Sequence, residues 1–304
     1  MEIRKIYMIA MSEYLNGIYK DLQDYVDNDV CLCKLIGLNF EAGALPDYED
    51  KNIQQLYLLR YAFAYSFEYS RMYLDVLTEM GDFDNISVTS IGCGSMIDYW
   101  SLVYALNKEG VDCSIRYDGI DRINWNYRIP GRQVDEVHYT IENAVNFFGN
   151  NSQFTSDIIF FPKSISEFSE SELNTMADSF SSKNKHKDKF FVCISLRDDP
   201  GSKNRDVIKT KCIIEAVSNN GFKTNFKYDE NVSFDNGKGI ALEDNYFHYP
   251  SDALNFVKNL YNECVNYKVK GKKCKLDCYN YLSRSPILKT NHIRYQVIKF
   301  ERMN

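Results

Sequence analysis

Short apolar segments alternate with helical segments between residues 85 and 228, and this alternation constrains the fold more than any other feature of the chain. Strands are predicted for NISVTSIG, CSIRYDGID, EVHYTI, SDIIFFP, FFVCISL and FKTNFKY, with helical segments between most of them. The chain closes with HIRYQVIKFER, whose alternating character predicts a last strand. Because apolar strands separated by helices are covered on both faces, the pattern predicts an α/β protein with a largely parallel sheet.

Residues 1–85 are predicted to be helical. A stripe of tyrosines recurs at every fourth position and covers one broad helix face, at Tyr57, Tyr61, Tyr65, Tyr69 and Tyr73. Gly81 is a suitable end for this helix. The stripe favours core or interdomain packing, and an aromatic wall beside a ligand is the alternative. We divide the chain into an N-terminal helical cap (1–84) and a second domain (85–304) with an insertion at about 230–285. One helix is predicted in the insertion, over DALNFVKNLYNECV.

Two glycines, Gly92 and Gly94, separate the first predicted strand from the helix MIDYWSLVYALNKEG. A strand, a Gly-x-Gly turn and a helix form the arrangement that binds nucleotide-like ligands at the carboxyl edge of an α/β sheet. Glycine permits a positive φ and a close approach of the ligand to the backbone. The third glycine of the dinucleotide fingerprint is replaced by Ile97, and no Gly-x-x-x-x-Gly-Lys-Ser/Thr loop is present. The turn therefore disfavours NAD and ATP as ligands.

The second predicted strand ends in YDGIDR, which places Asp121 beside the glycine turn. A carboxylate at this position can accept two hydrogen bonds from a ribose diol. The alternative is a strand-end acid that caps the next turn. Asn143 follows the third strand in IENAVNFF and is a candidate for contact with an adenine edge.

These segments carry a resemblance. Over roughly residues 55–229 and 293–302, the chain resembles class I S-adenosylmethionine-dependent methyltransferases. The segments that carry the resemblance are TSIGCGSMIDYWSL, YDGIDR, SDIIFFPKSISEF, FFVCISL and the final strand. The resemblance implies a Rossmann-like sheet of seven mostly parallel strands, with an antiparallel last strand and helices on both faces. It also implies S-adenosylmethionine as the cofactor, with the methionine part at the glycine turn and the ribose at Asp121.

The cofactor-binding residues expected from the turn, the strand ends and the resemblance are Ile91, Gly92, Cys93, Gly94, Ser95, Asp98, Asp121, Arg122, Asn143 and Phe161. Ser95 stands where many members of the family have another glycine. Asp98 is expected either to orient the amino-acid portion or to act as a first-turn acid favoured by the helix dipole. Cys93 is expected to pack inward without a redox role.

The segment after the fourth strand, residues 160–167, usually faces the methyl acceptor in this family. It lacks the Asn/Asp-Pro-Pro-aromatic motif of enzymes that methylate exocyclic base amines, and it lacks the Pro-Cys nucleophile of C5-pyrimidine enzymes. Lys163 and Glu167 are the candidate catalytic residues, for proton transfer or acceptor placement. A capped helix start at Glu167 is the alternative. The acceptor stays open among RNA, a protein side chain and a small molecule.

Charge is distributed unevenly along the chain, whose net charge is −6. Residues 258–304 contain eleven Lys and Arg against three acidic residues. The run KVKGKKCK (Lys268–Lys275) suits contact with a nucleic-acid backbone, with an exposed hairpin or loop as the alternative. This basic part supplies a second hypothesis, a catalytically silent methyltransferase-like fold that binds a nucleic acid or a protein.

The nine cysteines are odd in number and lie mostly in apolar segments, which predicts reduced thiols and a cytoplasmic protein. No apolar run is long enough to span a membrane, and no signal peptide is expected. A Cys₃His zinc site could be assembled from Cys264, Cys274, Cys278 and His292, but their spacing is not diagnostic. No metal is therefore predicted.

Overall fold

The structure is a computed structural model of the 304-residue chain. It describes residues 9–28, 30–38, 45–81, 83–150, 155–184, 187–197, 205–230, 232–234, 240–241, 248–270, 276–290 and 293–303.

One sheet of eight strands forms the centre of the molecule, and seven of them follow the order β3-β2-β1-β4-β5-β10-β6. The strands of this path are β1 (Asn85–Ile91), β2 (Ser114–Asp121), β3 (Glu136–Ile141), β4 (Ile158–Phe161), β5 (Lys189–Ser195), β6 (Phe222–Lys223) and β10 (Ile293–Arg302). The first five pair in parallel, whereas β10 is antiparallel to both β5 and β6. The predicted α/β fold, a mostly parallel seven-stranded sheet with an antiparallel last strand, is confirmed.

The eighth strand of this sheet is β7 (Val232–Phe234), which was not predicted. It pairs with β10 at Ile293–Tyr295, whereas β6 pairs with the other end of β10 at Glu301 and Arg302. The prediction of a long sixth strand, FKTNFKY, was wrong, because two short segments share the edge beside β10. A second, two-stranded sheet pairs β8 (Ile240–Ala241) with β9 (Lys289–Thr290).

Helices cover both faces of the large sheet. The α-helices are α1 (Met11–Val26), α2 (Lys51–Tyr57), α3 (Phe63–Met80), α4 (Ile97–Glu109), α5 (Ala144–Asn150), α6 (Glu170–Lys183), α7 (Arg205–Asn219), α8 (Ser251–Glu263), α9 (Val265–Lys270) and α10 (Leu276–Leu282). Short 3-10 helices occupy Leu32–Gly37 and Ile165–Glu167, and a π-helical turn at Leu58–Ala62 joins α2 to α3. None of the described helices is both long and apolar enough to cross a membrane.

Two hydrophobic cores lie on opposite faces of the sheet because side chains alternate along each strand. One core joins Val88 and Phe160 to α1, α3, α4 and α8. The other joins Ile159 and Phe161 to α5, α6 and α7. The N-terminal helices therefore share a core with the sheet. The division at residue 84 stays a prediction.

Local signals explain several helix ends. Ser169 and Glu172 form a capping box at the start of α6, with each side chain accepting from the backbone of the other. Gly81 and Gly110 have positive φ angles of 77° and 69°, as expected of glycines that end α3 and α4. The predicted insertion contains three described helices, α8 to α10, rather than the one helix predicted for it. The two additional helices are six and seven residues long, too short to show a clear apolar period in sequence.

Candidate functional site

A cavity of about 420 Å³ opens at the carboxyl ends of β1, β2 and β4. The strand order reverses between β1 and β4, and crevices at such switch points bind ligands in α/β proteins. We call the wall formed by residues 92–95, 97, 120–123 and 142–144 the glycine half. The opposite wall, the aromatic half, consists of Tyr48, Tyr57, Ala64, Tyr65, Glu68, Tyr69, Trp125, Pro162, Lys163, Ser164, Glu167, Phe168, Glu172, Arg197 and Ile287.

The glycine turn requires glycine at Gly92 for two reasons. Its φ angle is 71°, and a Cβ atom there would lie only 2.6 Å from Cβ of Ser164. Ser164 is itself fixed because its hydroxyl donates to the carbonyl of Ile91. Gly94 has a φ angle of 57° and faces the Trp125 ring. The turn is therefore held tightly between the segments that follow β2 and β4.

Asp121 closes the other side of the turn. Its Oδ2 accepts the backbone N–H of Gly94 at 2.8 Å, and its Oδ1 accepts that of Ile123 at 2.8 Å. Burial raises the pKa of Asp121, against the opposing effect of these two hydrogen bonds. A carboxylate offers about four acceptor sites, so each oxygen retains one for a ligand hydroxyl. The side chain thus fixes the turn and still lines the cavity.

Residues after β3 complete the glycine half. Glu142 and Asn143 both line the cavity. The Asn143 side chain also accepts the backbone N–H of Val145 at 2.8 Å, at the start of α5. Glu142 was not predicted, although it directly follows a parallel strand and Asp121 was identified by a similar place at a strand end. Arg122 lies on the same wall and is exposed.

Lys163 and Glu68 form a buried ion pair in the aromatic half. Lys163 Nζ lies 2.9 Å from Glu68 Oε1, and their side chains are 11% and 5% exposed. The ammonium also donates to the carbonyl of Leu196, and Glu68 accepts the Ser195 hydroxyl. Lys163 has a φ angle of 59°, which is unusual for a residue other than glycine and often occurs at functional sites.

A second ion pair joins Arg197 to Glu167. Arg197 Nη2 lies 2.9 Å from Glu167 Oε1, and both side chains are 29% exposed. Arg197 Nε also donates to the carbonyl of Lys163 at 3.1 Å, which connects the two pairs. Burial raises the pKa of Glu167, and the Arg197 charge opposes that rise. The cavity thus brings together both predicted catalytic candidates, Lys163 and Glu167.

Aromatic rings form most of the remaining wall. The rings of Tyr48 and Tyr57 contact each other and Trp125, with centroids 5.2–5.6 Å apart. Tyr65 and Tyr69 continue this wall along α3 and stack at 6.0 Å. Three tyrosines of the predicted stripe, Tyr57, Tyr65 and Tyr69, therefore line the cavity. These are the positions at which the alternative interpretation, an aromatic wall beside a ligand, stays a prediction.

Three predicted cofactor residues lie outside the cavity lining: Ile91, Asp98 and Phe161. Ile91 and Phe161 belong to the core under α5 to α7. Asp98 is fully buried at the start of α4, where both carboxylate oxygens lie 3.0 Å from the Tyr117 hydroxyl. The positions of these three side chains do not support the contacts with the cofactor that were predicted for them. The other seven predicted residues line the cavity: Gly92, Cys93, Gly94, Ser95, Asp121, Arg122 and Asn143.

Three residues in the aromatic half were missed. Arg197 lies two residues after the end of β5, so its strand-end position was available as a signal. Glu68 carried no local signal, since its partner Lys163 is distant in sequence. Trp125 carried none either, because it lies in the loop after β2.

The remaining predicted features lie elsewhere. Cys264 and Cys278 are buried, whereas Cys274 and His292 fall outside the described residues. Among the described residues, no three His, Cys, Asp or Glu side chains form a group that could hold a metal. Most of the Lys268–Lys275 run also lies outside the described part, and the side chain of Lys268 pairs with Glu263 at 3.2 Å.

Comparisons with known proteins give a likeness of fold only. No protein-family model and no curated protein sequence matches the chain. Among solved structures, the chain is similar to a plantazolicin methyltransferase in complex with S-adenosylhomocysteine (TM-score 0.43, 9% identity, 93% of this chain and 99% of that one). It is also similar to a putative methyltransferase in complex with the Haloferax volcanii Trm112 methyltransferase activator (0.41, 10%, 85% and 98%). A third is a cyclopropane-fatty-acyl-phospholipid synthase-like protein from Lactobacillus casei (0.39, 12%, 78% and 92%). These values are too low to carry a functional argument.

Proposed function

We propose that this chain, which has the Rossmann-like fold of class I methyltransferases, is an S-adenosylmethionine-dependent methyltransferase. One observation carries the proposal. The Gly92–Gly94 turn and the Asp121 carboxylate meet at 2.8 Å on the wall of a cavity at the switch point of the sheet. A turn with glycine at two positions beside a strand-end carboxylate is suited to an adenosyl ligand.

The residues of the glycine half fit this cofactor. Asp121 retains one acceptor site on each oxygen for the two ribose hydroxyls. Gly92 leaves room for the methionine portion to approach the backbone, since Ser164 already fills the space on its other side. Glu142 and Asn143 offer acceptors to an adenine amine.

The chemistry then needs little from the protein beyond placement. When bound, S-adenosylmethionine supplies a methyl group on a sulfonium sulfur, and transfer leaves the C–S bonding pair on sulfur while an acceptor lone pair forms the new bond. The aromatic half holds the acceptor in line and excludes water around the reacting atoms.

Glu167 is the proposed proton acceptor. Its carboxylate lines the cavity, and burial raises its pKa, which strengthens it as a base. Arg197 binds one of its oxygens, Oε1, and so fixes the direction of the carboxylate. Lys163 is proposed to position the acceptor, because Glu68 and the carbonyl of Leu196 hold its ammonium beside the Tyr65 ring.

Calorimetric titration with S-adenosylhomocysteine tests the proposal. The variant Asp121→Asn keeps the shape of the side chain but removes its charge, and we expect it to weaken binding by about 1–3 kcal/mol, or roughly 5- to 150-fold. The matched control is Asp118→Asn. Asp118 lies on the same strand, pairs with Arg116 and is absent from the cavity wall. We expect it to change the affinity less than about twofold.

Two results would contradict the proposal. If the wild-type protein binds no S-adenosylhomocysteine at millimolar concentration, S-adenosylmethionine is not its cofactor. An equal affinity of the wild type and Asp121→Asn removes Asp121 from the site.

A cytoplasmic location is part of the proposal. The eight cysteines within the described part of the chain form no disulfide with one another, and five of them are buried in one apolar core. Reduced buried thiols are typical of reducing compartments.

A further inference from the structure

We infer that the acceptor is a small, planar, uncharged aromatic molecule with polar ring substituents, bound in the aromatic half of the cavity. The inference rests on the proposed function for its chemistry, but its evidence is the composition of the aromatic half alone. Three observations support it: the charge balance, the ring faces and the uncommitted hydroxyls.

Charge balance favours an uncharged acceptor. The aromatic half contains two cations and three carboxylates, and each cation already has a carboxylate at 2.9 Å. The third carboxylate, Glu172, accepts the backbone N–H and the hydroxyl of Ser169. Each cation also donates to a backbone carbonyl, Lys163 to Leu196 and Arg197 to Lys163. A charged acceptor would have to lose its hydration here and compete with these partners, which costs more than its new contacts return.

Ring faces favour a planar acceptor. Six aromatic side chains line this half, and five of their rings form a continuous series of contacts from Trp125 through Tyr48 and Tyr57 to Tyr65 and Tyr69. Aromatic pairs prefer offset-stacked or edge-to-face contacts with a flat partner. The whole cavity has a volume of about 420 Å³, so an acceptor that shares it with the cofactor has to be small.

Uncommitted hydroxyls favour polar ring substituents. Tyr65 and Tyr69 line the cavity, and Tyr69 is only 3% exposed. Within the part of the chain that the structure describes, neither hydroxyl makes a hydrogen bond. Burial raises the pKa of both side chains well above the ordinary tyrosine value, so both hydroxyls stay neutral. Their partners must come from inside the cavity, as water or as substituents of the acceptor.

Three probes of matched shape and different charge test the inference. Protein saturated with S-adenosylhomocysteine is titrated with 4-hydroxybenzamide (neutral), 4-hydroxybenzoate (anionic) and tyramine (cationic), with calorimetry as the readout. We expect 4-hydroxybenzamide to bind at least about tenfold more tightly than either charged probe, since a charge must be desolvated.

Hydroxyl-deletion variants locate the binding. Tyr65→Phe and Tyr69→Phe keep the rings and remove one hydroxyl each, and we expect each to weaken 4-hydroxybenzamide binding by about 2- to 12-fold. Tyr73→Phe is the matched control. Tyr73 lies one turn further along α3, is fully buried and is absent from the cavity wall. We expect it to leave the affinity unchanged, and because all three variants keep their rings, folding is preserved.

The outcomes separate the two proposals. Tighter binding of 4-hydroxybenzoate or tyramine, no binding of any probe, or equal losses in Tyr69→Phe and Tyr73→Phe would overturn the inference while the cofactor assignment stands. If S-adenosylhomocysteine does not bind, the proposed function fails. In that case, the same three probes are titrated into the protein without S-adenosylhomocysteine, and their relative affinities test the aromatic ligand independently of the cofactor.

Discussion

At the scale of single residues, Gly92 and Lys163 are two of the left-handed backbone positions that line the cavity. Gly92 can adopt its φ angle of 71° without strain. A Cβ atom at this position would clash with Ser164, because it would lie only 2.6 Å from the Ser164 Cβ. Lys163 adopts a φ angle of 59° with a full side chain, at a cost of order 1–3 kcal/mol. The buried ion pair with Glu68 and the Leu196 carbonyl hold it there. Both positions lie at strand ends that face the cavity.

Asp98 lies beneath the glycine turn and controls stability in a pH-dependent way. Burial raises its pKa to about 7, although hydrogen bonds from Tyr117 and from the backbone amides of Asp98 and Tyr99 oppose the rise. Tyr73, Tyr117 and Cys93 beside it have pKa values raised by burial and stay neutral in this range. Asp98 is therefore the group in this cluster that titrates between pH 4 and 8.

We predict that Asp98→Asn removes this dependence. Because the folded-state pKa lies above the unfolded value, the Asp98 contribution is complete below about pH 4 and is lost as the pH rises through about 7. The difference in unfolding free energy between the wild type and Asp98→Asn should fall by up to about 4 kcal/mol from pH 4 to pH 8. Urea unfolding of both proteins at several pH values measures it. A difference that does not change with pH contradicts the assignment.

At the scale of elements, α3 joins the N-terminal helices to the carboxyl edge of the parallel strands. Glu68 on α3 reaches Lys163 after β4 and Ser195 at the end of β5. Further along the same helix, Asp75 accepts the Tyr295 hydroxyl of β10 at 2.7 Å. These contacts fix the helix that carries Tyr65 and Tyr69, so the aromatic wall depends on them.

We predict that Glu68→Gln lowers the unfolding free energy by about 3–5 kcal/mol, because it leaves the buried Lys163 ammonium without its carboxylate. Glu79→Gln, at the exposed end of the same helix, is the control and should change stability by less than about 0.5 kcal/mol.

The double variant Glu68→Gln/Lys163→Met should recover part of this loss, since no unpaired charge then remains. Urea unfolding gives the unfolding free energies of the wild type, the two single variants Glu68→Gln and Lys163→Met, and the double variant. Strictly additive losses in Glu68→Gln, Lys163→Met and the double variant would show that the two side chains are not coupled.

At the scale of the whole molecule, one hydrophobic core connects α1 and α3 to the sheet and α8. Both tryptophans report on this core. Trp100 is buried on α4 and donates its Nε1–H to the Ile9 carbonyl at 2.7 Å. Trp125 is 5% exposed and packs against Tyr48 and Tyr57. Tryptophan fluorescence therefore monitors the contact between the N-terminal helices and the sheet domain.

We predict a single cooperative unfolding transition. Fluorescence and far-ultraviolet circular dichroism should give the same urea midpoint, because separating residues 9–80 from the sheet exposes the shared core. An earlier fluorescence midpoint would instead support a helical cap at 1–84 that unfolds on its own.

The sequence by itself determined the sheet and the glycine half. Apolar strands separated by helices indicate a parallel sheet, and parallel strands bring their carboxyl ends to one edge. The order of strands and turns along the chain was enough to bring together four residues that lie at strand ends: Gly92, Gly94, Asp121 and Asn143.

Only the tertiary structure decided the aromatic half. Glu68 and Lys163 are far apart in sequence and meet because α3 packs across the ends of β4 and β5. The Arg197–Glu167 pair likewise joins two different strand-end segments. Asp98 shows the converse, since a residue only four positions from Gly94 is directed into the core toward Tyr117. The direction of a side chain at a helix start depends on what packs against it, and no local pattern encodes that.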